Sequence, residues 1–213
     1  MYFKGGLVMG MYIAVAVIAY LIGSVNFSVI ISRKMAGFDL REKGSKNAGT
    51  TNMLRTVGKR AAAITLVCDI LKGVIAVILA KVLATNVNEA IATQIAAICV
   101  VIGHTFPIFF EFRGGKGVAT SIGILFVVNW EIGLICLSYG VVIIALTRMV
   151  SLGSISAAIL FPILTIFIKE HYIAEGANFI IFGVLIAAII LFNHRANIKR
   201  LNNGTENRIS FNK

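Results

Sequence analysis

The chain has 213 residues, of which 58% are hydrophobic and only 14% charged, with a mean hydropathy of +0.91 and a formal charge of +11. Those values exclude an ordinary water-soluble globule. The basic excess does not indicate nucleic acid, because it lies in short segments between apolar runs, where membrane proteins keep the charges that set their orientation.

In chain order the apolar runs predict spans over Gly6–Ser32, Ala61–Leu83, Ala90–Phe110, Val118–Trp130, Ile132–Leu146, Ser151–Ile168 and Phe179–Phe192. Most approach or exceed the roughly 18–20 residues that cross a bilayer as helix. The fourth and fifth are short, and two readings fit them: tilted helices in a thinned bilayer, or together a re-entrant hairpin. Near the first run, Lys4 and Ala14-Val15-Ala16 faintly resemble a secretory signal. The triplet lies inside the run with no polar cleavage region, so an uncleaved first span is expected. The expected fold is one all-α domain, residues 1–213: a polytopic integral membrane helix bundle of about seven transmembrane helices.

An exterior amino terminus places Arg33–Arg60, Glu111–Gly117, Thr147–Met149 and the tail from Asn193 in the cytoplasm. These segments hold 8, 2, 1 and 5 basic residues, so 16 of the 20 Lys and Arg lie inside. Lys4, Lys81 and Lys169 lie outside and Lys72 falls within a span. By the positive-inside rule the carboxyl terminus is cytoplasmic and the chain a multi-pass protein of the cell (inner) membrane. Cys68, Cys99 and Cys136 are isolated in apolar stretches and read as packed thiols. The sequence shows no internal repeat and no paired helix breaks of the kind common in secondary transporters.

Three polar clusters fall on the predicted cytoplasmic side. Gly44-Ser45-Lys46-Asn47-Ala48-Gly49-Thr50-Thr51-Asn52 combines glycines that let backbone N–H groups converge, hydroxyl and amide donors at Ser45, Thr50, Thr51 and Asn52, and the charge of Lys46. A helix starting near Thr51 or Asn52 would point its positive end at the same place. The loop reads as an anion cradle, with a turn rich in capping residues as the plainer alternative. Arg113-Gly114-Gly115-Lys116-Gly117 reads as a second phosphate loop, or as positive-inside charge beside flexible glycines. Neither loop has Walker spacing, which disfavours a nucleotide-driven enzyme. In the third cluster His194 and Asn197 share a helical face, and a histidine there can orient or deprotonate a hydroxyl. Snorkelling and topological charge account for Lys199 and Arg200 beside it.

Asp69 and Lys72, at helix spacing inside a span, are expected to pair structurally or to function. Arg148, Ser151 and Ser154 open the sixth span with hydroxyls available to a polar substrate. His104, just before Pro107, fits a helix-end hydrogen bond as well as catalysis. His171 is expected at the exterior surface.

These segments, together with Asp69-Ile70-Leu71-Lys72-Gly73, Gly103-His104-Thr105-Phe106-Pro107, Phe112-Arg113-Gly114-Gly115-Lys116-Gly117-Val118-Ala119-Thr120, Arg148 with Ser151-Leu152, and His194-Arg195-Ala196-Asn197-Ile198 with Glu206, resemble the bacterial acyl-phosphate:glycerol-3-phosphate acyltransferases, the PlsY family. The motifs run in order over most of the chain. The resemblance implies transfer of a fatty acyl group from acyl phosphate to the 1-hydroxyl of glycerol 3-phosphate, giving lysophosphatidic acid and phosphate. It implies that residues 44–52 hold the acyl-phosphate's phosphate. Around glycerol 3-phosphate it puts Lys116, Ser151, His194 and Asn197 as the reacting group, with Arg55, Arg113, Gly114, Gly115, Arg148 and Glu206 in support. Asp69, Lys72 and His104 are left to support the site.

An acyl phosphate is already activated, so no cofactor, metal, nucleotide or covalent intermediate is expected. The expected partners are the two substrates and the bilayer, with no nucleic acid and no obligate protein partner. The H-x-x-x-x-D pair of other acyltransferases is missing, since Phe109, Gly176 and Lys199 stand five residues after His104, His171 and His194. Two rival readings are an organic-phosphate transporter, with the basic loops as its gate, and a non-catalytic scaffold for lipid-synthesis enzymes.

Overall fold

The computed structural model describes residues 2–167 and 179–209. The linker 169–177, with Lys169 and His171, lies outside the described residues. Ten α-helices make up the described chain: α1 Tyr2–Ser24, α2 Phe27–Ala36, α3 Thr50–Thr56, α4 Lys59–Leu83, α5 Glu89–Thr105, α6 Val118–Val128, α7 Trp130–Thr147, α8 Val150–Phe167, α9 Phe179–Asn193 and α10 Arg195–Asn202. All seven expected apolar segments are helical. Five stretches, Gly6–Ala36, Lys59–Leu83, Glu89–Phe110, Trp130–Thr147 and Val150–Phe167, are long and apolar enough to cross a bilayer. The pair α9 and α10, bent by 65°, makes a sixth if taken as one span. At 11 residues α6 is about 16 Å long, half the roughly 30 Å of a hydrocarbon core.

Two boundaries differ from the sequence expectation. The fifth segment is an 18-residue helix, longer at both ends than the apolar run Ile132–Leu146, and the Asn129 side chain caps it by accepting the Ile132 N–H at 2.8 Å. The first is broken at residues 25–26 instead of running unbroken to Ser32. Asn26 caps α2 there, accepting from Val29 N–H and from the Ser28 hydroxyl. Gly37, in the left-handed region at φ 73°, ends α2.

Large apolar side chains such as Val67, Ile75 and Val142 face outward, while Ala76, Ala80, Ala92, Ala96 and Ala97 are buried. Where the solvent is lipid, helices associate through small residues that let backbones approach. Three helix pairs do this reciprocally. A Cβ on Gly23 of α1 would lie 2.2 Å from Val100 O, and one on Gly103 of α5 2.2 Å from Tyr20 O. Between α4 and α6, Gly73 meets Thr120 O and Gly123 meets Ile70 O, and Gly140 and Gly153 abut between α7 and α8.

The break in the first span leaves helix-end carbonyls to be satisfied inside protein. Lys72 of α4 does so, donating to Gly23 O at 3.1 Å and Val25 O at 3.0 Å. Asp69 balances its charge at 2.9 Å and also lies 3.5 Å from His104 Nδ1. The expected Asp69–Lys72 pair is thus a structural one, and it ties α1, α2, α4 and α5 together at one level.

Gly103→Leu should lower stability in detergent by about 1–3 kcal/mol, because α1 must move away from its backbone. Gly10→Ala, which meets nothing within 4 Å, should leave thermal unfolding unchanged. Equal effects of the two would refute the close-approach account.

Candidate active site

The end of α5 is the dock on which the site is assembled. Gly114 N–H donates to Thr105 O and Gly115 N–H to His104 O, both at 3.0 Å. A Cβ on Gly114 would lie 2.0 Å from His104 O, and one on Gly115 would lie 2.2 Å from the His104 ring and 2.6 Å from Ala48 O. These glycines therefore serve close packing, and their N–H groups are engaged by α5 rather than offered to an anion. The same packing brings the two glycine loops against each other, with Ala48 of the first touching Gly115 of the second.

Asn52 organises the first loop. Its side-chain amide reaches Leu40 O, Lys43 O and Asn47 O at 3.0–3.2 Å, and its oxygen accepts the Ser45 N–H at 3.0 Å. Asn52 is accordingly a frame for the loop and not one of its outward donors. Gly44 and Lys46 adopt left-handed backbone at φ 56° and 59°, which curls the chain around it. Ser45 and Lys46 are exposed, and Asn47, Gly49 and Thr51 are half-buried along the rim. Thr50, the first residue of α3, has a buried hydroxyl with no partner among the described residues. Buried hydroxyls are nearly always paired, so this one has room for a further partner, a water or a ligand oxygen.

Arg41, which the sequence reading passed over, anchors this loop to the second. It holds Asp39 through two nitrogens, at 3.1 and 2.9 Å, and donates to Phe110 O at 2.6 Å. The Arg41 guanidinium beside Asp39 keeps that carboxyl well below the usual carboxylate range.

The third cluster closes over the second. His194 sits at the 65° bend between α9 and α10, buried, with Nδ1 2.8 Å from Ile190 O. A carbonyl only accepts, so Nδ1 carries the proton and Nε2 presents its lone pair. One turn on, Asn197 Oδ1 accepts from the Lys116 ammonium while Asn197 Nδ2 donates to Glu206 at 2.8 Å. Arg200 holds the other Glu206 oxygen at 2.9 Å. Burial works against the charge on Glu206, but hydrogen bonds from Asn197, Arg200 and Ser151 hold it below the usual carboxylate range. Ser151, at the start of α8, brings its buried hydroxyl toward the same carboxylate.

Lys116 is the electrostatic centre. Burial lowers it to about 8; Glu206 opposes the shift, and Arg200 and Arg55 of α3 add to it. Arg55 in turn lies in the field of Glu206 and Arg200, which joins the first cluster to the third. Three neighbouring cations thus face one carboxylate around Lys116.

Arg113 and Arg148 are exposed and form no ion pair with this cluster among the described residues. Arg148 contributes backbone: at φ 59° it ends α7, and its carbonyl accepts the Ile209 N–H, strapping the tail beside Glu206 to the start of α8. Asn193 also escaped the sequence reading. Its amide donates to the Thr105 hydroxyl at 3.0 Å and reaches Lys116 O at 3.5 Å, so it fixes the bend of α9 to the dock. The signal was available, as an amide ending a wholly apolar run beside His194. Among the described residues, no group of three or more His, Cys, Asp or Glu could hold a metal ion.

The arrangement can hold an anion beside a half-buried ammonium, with a lone pair and a hydroxyl at its edge. Residues 13–204 match the family model described as glycerol-3-phosphate acyltransferase. The glycerol-3-phosphate acyltransferase of Clostridioides difficile (strain 630) is 46% identical over 200 residues, covering 93% of this chain and 95% of that protein. The enzyme of the same name from Thermoanaerobacter sp. (strain X514) is 44% identical over 91% of this chain and 93% of its own. Among solved structures, the glycerol 3-phosphate form of PlsY (YgiH), an integral membrane glycerol 3-phosphate acyltransferase, superposes with a TM-score of 0.82 at 36% identity. That match covers 93% of this chain and 96% of the other. With a family model spanning most of its length and relatives well above 40% identity, this chain belongs to the glycerol-3-phosphate acyltransferase family.

Proposed function

We propose that this glycerol-3-phosphate acyltransferase of phospholipid synthesis takes its acyl group from acyl phosphate. It passes that group to the 1-hydroxyl of glycerol 3-phosphate and releases lysophosphatidic acid and inorganic phosphate. The observation that carries the reading is Lys116, a half-buried ammonium whose direct partner is a neutral amide and whose surroundings hold more positive than negative charge. A phosphate dianion supplies what such a site lacks. The first loop, with Thr50 inside and Lys46 and Ser45 at its rim, is the cradle for the second phosphate. Because the loops touch at Ala48 and Gly115, the two phosphates are held side by side and the reacting groups between them.

In the proposed step the 1-hydroxyl oxygen attacks the acyl carbonyl carbon and the carbon–oxygen bond to phosphate breaks. The hydroxyl proton goes to His194 Nε2 and phosphate leaves into the first loop, whose donors stabilise it as the bond opens. Ser151 and Asn197 orient the glycerol, and Glu206 fixes Asn197. Positioning supplies much of the acceleration. The basic residues gathered at this end support a site at the cytoplasmic face of the inner membrane.

Product formation from labelled glycerol 3-phosphate tests the reading. Palmitoyl phosphate should yield lysophosphatidic acid, while palmitoyl-CoA and palmitoyl-acyl carrier protein should not. No product from any donor in folded protein would favour a transporter. In the same assay His194→Ala should lose about 10²–10⁴-fold in kcat; a variant that keeps its turnover and only raises KM would remove the base role.

The pH dependence follows from Lys116. A bound dianion favours the charged amine, so affinity is present below about 8 and lost as pH rises through that value. The substrate phosphate is dianionic only above about 6. KM for glycerol 3-phosphate should therefore be lowest between about 6 and 8 and climb up to about tenfold per unit above that. Lys116→Arg, which stays charged, should lose the alkaline limb. A wild-type KM flat beyond pH 9 would contradict the assignment.

A further inference from the structure

Below the polar site α6, α7, α8 and α9 line an apolar groove that is open on one side and encloses a cavity of about 90 Å³. Its residues have a consistent order of depth. Val118, two residues from Lys116, Gly153, two from Ser151, and Ile190, whose carbonyl holds His194, lie at the polar end. Leu125, Cys136 and Phe161 lie at the far end. Near the polar end the groove is lined by Ser121, a buried hydroxyl with no partner among the described residues.

On α8 the lining stripe reads Gly153, Ser154, Ala157, Ala158, Phe161: four small side chains and then a large one. We propose that Phe161 is the end wall of an acyl-chain groove and sets the longest donor chain the enzyme uses well. The proposal rests on the donor reading above and adds a specificity determinant to it.

Phe161 is fixed in place. Its ring packs edge-on against Phe179 and Phe182 at 5.9 and 5.8 Å, and those two stack on each other at 5.7 Å. From Gly153 to Phe161 the groove runs about 12 Å along α8. Half a hydrocarbon core is about 15 Å, so a chain of ordinary membrane length already reaches the Phe161 ring. A longer one must bend out past Val141, which is half exposed at the rim. Gly140 allows the complementary change. A Cβ there would make ordinary contact with Ala157, whereas one on Gly153 would collide with the Gly140 carbonyl, so only the first position can accept a side chain into the groove.

The test is kcat/KM of the full-length enzyme in nanodiscs for tetradecanoyl, palmitoyl, stearoyl and eicosanoyl phosphates. Phe161→Ala should raise the eicosanoyl-to-tetradecanoyl ratio about tenfold, the low end of what a misfitting methylene costs in a closed pocket, because the open side relieves part of the clash. Gly140→Leu should shift preference the opposite way. Wild-type chain-length profiles in both variants, or losses equal at every length, would overturn the wall, as expected if the groove only holds bilayer lipid. Those results leave turnover with tetradecanoyl phosphate intact in the wild type, whereas failure of the donor reading shows as no product from any acyl phosphate.

Discussion

Everything at the polar end of this bundle depends on one ammonium group partly withdrawn from water. Lys116 is directly partnered by an amide, with Glu206 one residue removed and Arg55 and Arg200 nearby. A cation in that position is costly unless something balances it. The chain balances it only in part, through Asn197 and the Glu206 that Arg200 shares. The remaining positive field is one that a doubly charged phosphate would balance and a neutral polyol would not, as the proposed binding requires.

Holding that ammonium in place requires backbone that is not helical, within a protein whose surroundings cannot satisfy it. The structure meets this by giving each interruption its own protein partner. Lys72 takes the carbonyls at the break before α2, Asn26 and Asn129 cap the helices that follow breaks, and the carbonyls of His104 and Thr105 receive the two glycines that precede Lys116. Asp69 links these devices, since it faces Lys72 on one side and His104 on the other. The charged pair in the second span therefore supports, through His104, the backbone on which the Lys116 loop sits.

Much of this was legible in the sequence. The apolar runs located the long helices of the bundle, because hydropathy reports directly on what lipid tolerates, but not the break between α1 and α2 or the short polar helices α3 and α10. The three polar clusters supplied the residues of the candidate site, because glycine, hydroxyl and amide side chains beside basic residues have few other uses at a membrane boundary. What could not be read was which partner each polar group takes. Asn52 has the composition of a ligand donor, but its amide is engaged by three loop carbonyls. Gly114 and Gly115 look like a nest but serve a backbone contact with α5. Asn26 and Asn193 are single amides in or beside apolar runs, and their roles depend on a free N–H at the start of α2 for the first and on the Thr105 hydroxyl brought close by folding for the second. Residue type limits what a position can bond to, and only the packed helices decide what it meets.

The most direct test of the account is proton linkage at Lys116. Calorimetric titration of glycerol 3-phosphate into the enzyme at pH 8, in two buffers of different ionisation enthalpy, reports the protons taken up on binding. An amine near its pKa that is driven to full charge by a bound dianion should take up about half a proton, and Lys116→Met should take up none. Binding with no proton uptake in the wild-type enzyme would mean that the phosphate is held elsewhere.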